Sequence, residues 1–129
     1  IELIRDYAPS LPKVLGDEKQ LGQVFLNLIL NAIEAMPDGG ILHIQTRQKD
    51  SSSNECVVSV CEVQISDTGV GISKEEQERI FEPFYTGKEH GLGMGLAIVK
   101  EIVSEHDGTI SVKSEKGKET TFTVKFPSK

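Results

Sequence analysis

Three stretches of this chain bring together residue types that can do chemistry. The first is a run of polar side chains at helical spacing. Gln20, Gln23, Asn27, Asn31 and Glu34, set about 100° apart on a 3.6-residue turn, fall within an arc of roughly 80°. The rest of the circumference holds Leu21, Phe25, Leu26, Leu28, Ile29, Leu30, Ala32, Ile33 and Met36. A helix this apolar is expected to be largely buried. Its uncharged amides then need partners. Either they bond to neighbouring loops and ordered water, or they line a polar ligand cavity, where an Asn oxygen is a hard, neutral donor suited to Mg²⁺.

The second stretch is Asp67-Thr68-Gly69-Val70-Gly71-Ile72, directly after a strand-like run. Its two glycines permit tight turns and close approach of backbone to a ligand. Asp67 at the strand end can accept a hydrogen bond from an amino group, such as the exocyclic amine of a base. A turn capped by Asp explains the same residues. The third is Gly91-Leu92-Gly93-Met94-Gly95-Leu96, leading into a helix. Free N–H groups and the positive end of the helix dipole make such a junction an anion site, although a hinge uses the same glycines. It is neither a P-loop nor a dinucleotide fingerprint, since G-x-x-x-x-G-K-[ST] has no match and G-x-G-x-x-G fails at Leu96. Between the second and third stretches lies Phe81-Glu82-Pro83-Phe84-Tyr85-Thr86-Gly87-Lys88-Glu89-His90. There Phe81 and Phe84 either anchor a lid or pack into the core. Lys88 is the best-placed cation for a phosphate, and His90 reads as a solvated loop histidine.

The elements that must position these residues can be read along the chain. Glu2 to Tyr7 suits a short edge strand. Asp17, with Gln20 three residues on, opens a helix as a capping box. That helix runs to about Met36, where Pro37-Asp38-Gly39-Gly40 stops it. Alternation of Leu42, Ile44 and Thr46 predicts a strand, the polar run from Gln48 to Glu55 a loop, and the β-branched Cys56–Ser66 a second strand. Lys74–Ile80 reads as a short helical turn. Leu96–His106 reads as a helix with Gly108 as its stop. His43 and His106 look like surface residues. Thr109–Ser114 and Thr120–Phe126 read as strands joined by the turn Glu115-Lys116-Gly117-Lys118. The expected fold is a two-layer α/β sandwich, with helices on one face of a mixed, mainly antiparallel sheet.

At 129 residues the chain is near the usual size of one domain, and roughly two-thirds of its unfolded surface can be buried without a staple. It begins at Ile1 without a Met, so it reads as a single excised domain, residues 1–129. Twenty acidic residues against 14 basic ones give a net charge of −6. That argues against a nucleic-acid or anionic-membrane surface. An anion must therefore be held by local donors and a metal, not by the overall field. Cys56 and Cys61 are too few for a disulfide framework and suit reduced thiols in a cytoplasmic setting. No His and Cys spacing suggests zinc.

The order of the pieces is more specific than any one of them. NLILNAIEAM, DTGVGI, FEPFYTGK and GLGMGLAIVK, in sequence, resemble the N box, first G box, F box and second G box of the catalytic ATP-binding domain of sensor histidine kinases. The wider superfamily includes DNA gyrase, a heat-shock chaperone and MutL. The likeness covers Asp17 to Pro127, and its wording is most similar to the nitrogen-regulator group. It implies a Bergerat-type ATP-binding fold that binds ATP with Mg²⁺ and donates the γ-phosphoryl group to a histidine. That histidine would lie on a separate dimerisation domain of the same parent protein, with a response regulator as the further partner. The domain itself would make no direct membrane contact.

Carried over residue by residue, the resemblance gives Asn31 the Mg²⁺ and a place in catalysis, with Asn27 lining the same pocket one turn earlier. Asp67 would read the adenine amine, with Gly69 and Gly71 shaping its loop. Gly91, Leu92, Gly93 and Gly95 would cradle the phosphates at the end of a lid over residues 84–92, and Lys88 would reach them. Thr120 falls where the family has G-x-G-T, although Glu119 replaces the second glycine. Asn27 stands where water-activating members carry Glu, which favours transfer over hydrolysis. Glu34 replaces a frequent basic residue, which gives Lys88 more weight. The rival readings are an ATPase or serine kinase of the same superfamily, and a non-catalytic nucleotide-sensing or docking module.

Overall fold

The computed structural model describes residues 1–7, 16–53, 56–82 and 93–127. Five strands form one sheet in the order β1-β2-β3-β5-β4, with β1 Glu2–Asp6, β2 Ile41–Ser53, β3 Cys56–Asp67, β4 Thr109–Glu115 and β5 Glu119–Pro127. Strand β1 pairs parallel to β2 at one edge, and every other pairing is antiparallel. The helices are α1 Glu18–Glu34, α2 Lys74–Gln77 and α3 Gly93–Glu105. The arrangement is the expected two-layer α/β sandwich.

Alternation along the strands decides which face is covered. Leu42, Ile65, Phe122, Val124 and Phe126 join Val24, Leu28 and Ala32 of α1 and Val99, Ile102 and Val103 of α3 in one core. The opposite face of the sheet carries Gln45, Gln64 and Thr123 in register. Ser66 and Thr121 bond there hydroxyl to hydroxyl at 2.9 Å. Glu62 shares that face yet is buried. Its register partners are Arg47 and Lys125, with the Lys125 Nζ 4.0 Å from its carboxylate. Such pairing is what a buried charge requires. Burial also pushes the Cys61 thiol up from its ordinary value, which keeps it an unreactive core residue.

The structure departs from the sequence reading in four places. The polar stretch after Gln48 is strand, not loop, because β2 and β3 stay paired out to Ser53 opposite Cys56. A ladder can run through serines when both strands belong to one hairpin and the backbone bonds carry it. Helix α1 is not buried all round. Leu26, Leu30 and Ile33 are 56%, 47% and 42% exposed, since a two-layer fold covers a helix on one side only. At the end of α3 the left-handed residue is Asp107, with φ 59°, rather than Gly108. Gly108 is needed for close approach, because a Cβ there would come within 2.5 Å of the Lys125 carbonyl oxygen.

The fourth departure is His106, which is half-buried and bonded at both ring nitrogens. The Asp17 N–H donates to Nε2 at 3.0 Å, so Nδ1 carries the proton and faces the Ile102 carbonyl at 2.8 Å. The ring stands edge-on to Phe126, with centroids 6.4 Å apart. Gly16 leaves room for it, since any Cβ there would strike the imidazole. The start of α1 is thus tied to the end of α3, and the two helices run antiparallel. Asp17 completes the cap by accepting from the Lys19 and Gln20 N–H groups at 2.9 and 3.0 Å. His106→Phe keeps a ring but takes the side-chain acceptor from the Asp17 N–H, while the Ile102 carbonyl keeps the backbone N–H of residue 106 at 3.2 Å. It should lower the unfolding free energy by about 0.5–1.5 kcal/mol, read by urea denaturation. An unchanged midpoint would show that the tie contributes nothing.

Candidate functional site

Strand register assembles the site at one end of the sheet. Asp67, the last residue of β3, lies opposite Leu42 on β2 and Thr120 on β5. Thr120 in turn lies opposite Ser114 on β4. The four side chains form a row on the helix-facing side. Asp67 and Thr120 are each only 3% exposed, and buried polar groups of this kind need partners. Asp67 Oδ1 accepts from the Gly69 N–H at 2.9 Å, which turns the chain sharply out of the strand.

The loop that follows is held on two sides. The Val70 N–H donates to the Ala35 carbonyl at the end of α1 at 3.0 Å, and the Gly117 N–H donates to the Val70 carbonyl at 2.6 Å. The Ile41 N–H donates to Thr68 Oγ1 at 3.0 Å. These contacts leave no room for side chains at the two glycines. A Cβ on Gly69 would overlap the Ala35 carbonyl oxygen, and one on Gly71, where φ is 72°, would overlap the Glu115 carbonyl. On the far side Ser114 Oγ receives the Ile72 N–H at 2.7 Å and lies 2.9 Å from Thr120 Oγ1. Gln77 of α2 bridges the Ile72 and Ser114 carbonyls at 2.8 and 3.0 Å. Ser73 caps α2 by accepting from the Glu76 N–H at 3.2 Å.

The amide stripe of α1 divides. Asn27 and Asn31 are half-buried, while Gln20, Gln23 and Glu34 are exposed. Asn31 sits one turn before Ala35, so the stripe runs toward the glycine loop. Helix α3 packs beside α1 and starts at Gly93, inside the run read from sequence as an anion-binding junction. A Cβ added to Gly95 meets nothing within 4 Å, so packing does not require that glycine. Lys88, His90, Gly91 and Leu92, with the expected lid over residues 84–92, lie outside the described residues. Phe81 packs against the core, edge-on to Phe122 with centroids 6.4 Å apart. The Lys100 Nζ stands 5.6 Å from its ring centre. His43 lies on β2 one residue from Leu42, on the face turned away from the helices.

Sequence reasoning missed Ser114, Gln77 and Thr68. Ser114 was legible in principle. A tight turn over residues 116–118 places Ser114 opposite Thr120, so finding the turn fixes the pair.

Residues 16–129 match the family described as histidine kinase-, DNA gyrase B-, and HSP90-like ATPases. The chain belongs to this family. It is 42% identical to the sensory histidine kinase/phosphatase NtrB of Rhodobacter capsulatus, over 97% of this chain and 36% of that protein. It is 39% identical to the sensor-like histidine kinase SenX3 of Mycobacterium tuberculosis, over 97% of this chain and 30% of that one. The domain therefore spans about a third of these relatives. Among solved structures, the mycobacterial sensor histidine kinase MprB aligns with a TM-score of 0.83 at 30% identity, over 99% of this chain and 82% of that one. Full-length ShkA in complex with AMPPNP aligns at 0.76 and 28% identity, over 99% of this chain and 26% of that one. The family and its α/β sandwich are those the sequence motifs implied, and the relatives are kinases.

The two glycine positions separate fold from site. Gly71→Ala should destabilise the domain by more than about 1 kcal/mol, through its positive φ and its clash with Glu115. Gly95→Ala, inside a helix with open space at Cβ, should be neutral or stabilising by up to about 1 kcal/mol. Thermal denaturation of the two variants checks the contrast, which equal melting shifts would contradict.

Proposed function

We propose that this histidine kinase-type domain binds Mg-ATP and donates the γ-phosphoryl group to a histidine on a separate dimerisation domain of its parent protein. A response regulator would be the next acceptor, in the cytoplasm, with residues 1–129 acting as one catalytic unit. The observation that carries this reading is the buried pair Asp67 and Thr120, in register beside a loop that only glycines allow. Asp67 would accept from the adenine amine, with Thr120 beside it. Asn27 and Asn31 would line the path to the phosphates. The N–H groups at the start of α3 would face the phosphate oxygens, with Gly93 and Gly95 keeping the approach open and Gly91, Leu92 and Lys88 completing the cradle.

The metal fits this donor set in one way. Asn31 offers a neutral oxygen, and the described residues hold no group of three or more His, Cys, Asp or Glu that could cage an ion. That suits Mg²⁺, which keeps most of its shell from water and phosphate and needs few protein ligands. Bound there, the ion would offset phosphate charge, and Asn31 would orient it. Asn31→Leu should retain the fold and lose most of the Mg²⁺ dependence of nucleotide affinity. Titration calorimetry with and without the ion reads this, and a wild-type difference in the variant would reduce Asn31 to a packed amide.

Transfer needs a nucleophile held in line with the γ-phosphorus. His43 faces the wrong side of the sheet. His106 is bonded at both nitrogens, and, 13 residues on from Gly93, it sits about 20 Å from the start of α3 at roughly 1.5 Å per residue. His90 lies outside the described residues, in the stretch read as a lid. Incubated alone with labelled ATP, the domain should not label itself on His43, His90 or His106. Mixed with a separate dimerisation hairpin that carries a histidine, it should place acid-labile label on the hairpin. Label on this domain alone, or on neither chain while ATP is bound, would reject transfer.

A further inference from the structure

We propose that Ser114 is a positioning residue that fixes the polarity of the Thr120 hydroxyl, so that the base-reading end of the site selects a purine with an amino group over one with a carbonyl. The inference rests on the reading of this row as the base-binding end of an ATP site, and adds to it the source of discrimination.

The case is a count of hydrogens. A serine hydroxyl has one hydrogen and two lone pairs. Ser114 Oγ has three neighbours among the described residues: the Ile72 N–H at 2.7 Å, the Glu119 carbonyl at 2.6 Å and Thr120 Oγ1 at 2.9 Å. The Ile72 N–H can only donate, so it takes one lone pair. The Glu119 carbonyl can only accept, so it takes the hydrogen. What remains on Ser114 is a lone pair, and the Thr120 hydroxyl must donate to it. Thr120 Oγ1 is then left with lone pairs alone. Its register neighbour Asp67, as a carboxylate, is likewise an acceptor.

Two acceptors therefore stand side by side at a place almost closed to water. A free threonine hydroxyl could rotate and serve either polarity, but here rotation would break a part-buried bond. Ser114 is itself held in place, by its pairing on β4 and by Gln77 Nε2 donating to its carbonyl at 3.0 Å. An amine at C6 of the base meets matching acceptors. A carbonyl at C6 meets lone pairs and stays unsatisfied, a mismatch that costs roughly tenfold to hundredfold in affinity.

The test compares ADP with inosine diphosphate, which carries a C6 carbonyl, on wild type, Ser114→Ala and Ser114→Thr. Wild type should prefer ADP, and Ser114→Thr should keep that preference. Ser114→Ala frees the Thr120 hydrogen to donate to the carbonyl, so the ADP preference should fall by about tenfold. A clamp with no part in selection would weaken both nucleotides alike, and an unchanged ratio would overturn the proposal. If wild type binds neither diphosphate, the ATP reading itself falls and takes the selectivity with it. Should Ser114→Ala fail to fold, proton NMR of the wild type decides the polarity. A slowly exchanging Thr120 hydroxyl proton with Overhauser contacts to the Ser114 β-protons supports it, and a Ser114 hydroxyl proton directed at Thr120 overturns it.

Discussion

The loop from Asp67 to Ile72 brings its backbone against two neighbouring elements, and it can do so because two of its residues lack a Cβ. Gly69 lets it reach the Ala35 carbonyl at the end of α1. Gly71 lets it press against the turn between β4 and β5. Through those contacts the amide-bearing helix, the strand ending in Asp67 and the strand beginning near Thr120 meet at one place. Two of these contacts are main-chain hydrogen bonds, at 3.0 and 2.6 Å, so the loop acts as a spacer. Any side chain there would push apart the parts it joins.

A second tie works at the opposite end of the helix layer. His106 bonds the N-terminus of α1 to the last turn of α3, while the glycine loop takes hold of the C-terminus of α1. The helix that carries Asn27 and Asn31 is thus fixed at both ends by polar bonds of defined geometry, with the apolar contacts of Val24, Leu28 and Ala32 between them. Apolar packing tolerates small slides better than hydrogen bonds do. The polar ends therefore set where the two amides stand relative to the glycines of α3. The outer face of α1 takes no part in this, which is why Leu26, Leu30 and Ile33 can stay exposed.

Much of this was legible in the sequence, and the reasons differ by element. The cap at Asp17, the strands with β-branched alternation and the turn at Gly117 are local signals, and each appears where it was read, although the Asp17 N–H that a capping box would give to Gln20 goes to His106 instead. The order of the four motifs identified the family. The serines after Gln48 misled because composition reports on side chains, whereas a hairpin ladder is held by backbone. His106 misled because nothing near it in the chain reveals Asp17, 89 positions away. Ser114 carried no motif, and its importance comes from three hydrogen bonds to residues on two other segments, the loop at Ile72 and strand β5. The glycines at 69 and 71 were read as permitting close approach. What they approach is set by long-range contacts that no local pattern encodes.

The described part of the site is built mostly of neutral dipoles rather than charges, and the charge balance gives this a physical reason. With a net charge of −6, the field of the whole chain repels a polyphosphate. An anion can still be held where oriented N–H groups and amides lie in a low-dielectric setting, because fixed dipoles act over short range and need no reorganisation. The row of Asp67, Thr120 and Ser114 follows the same principle at the other end. There, on the proposed polarity, a single shared hydroxyl count, not a charge pair, would decide which groups donate and which accept. Half-buried Asn27 and Asn31 add to this set, since an amide can orient a ligand but is no base. On the proposed reading, a chain built this way would hold a nucleotide still for an acceptor brought by another domain rather than activate water itself.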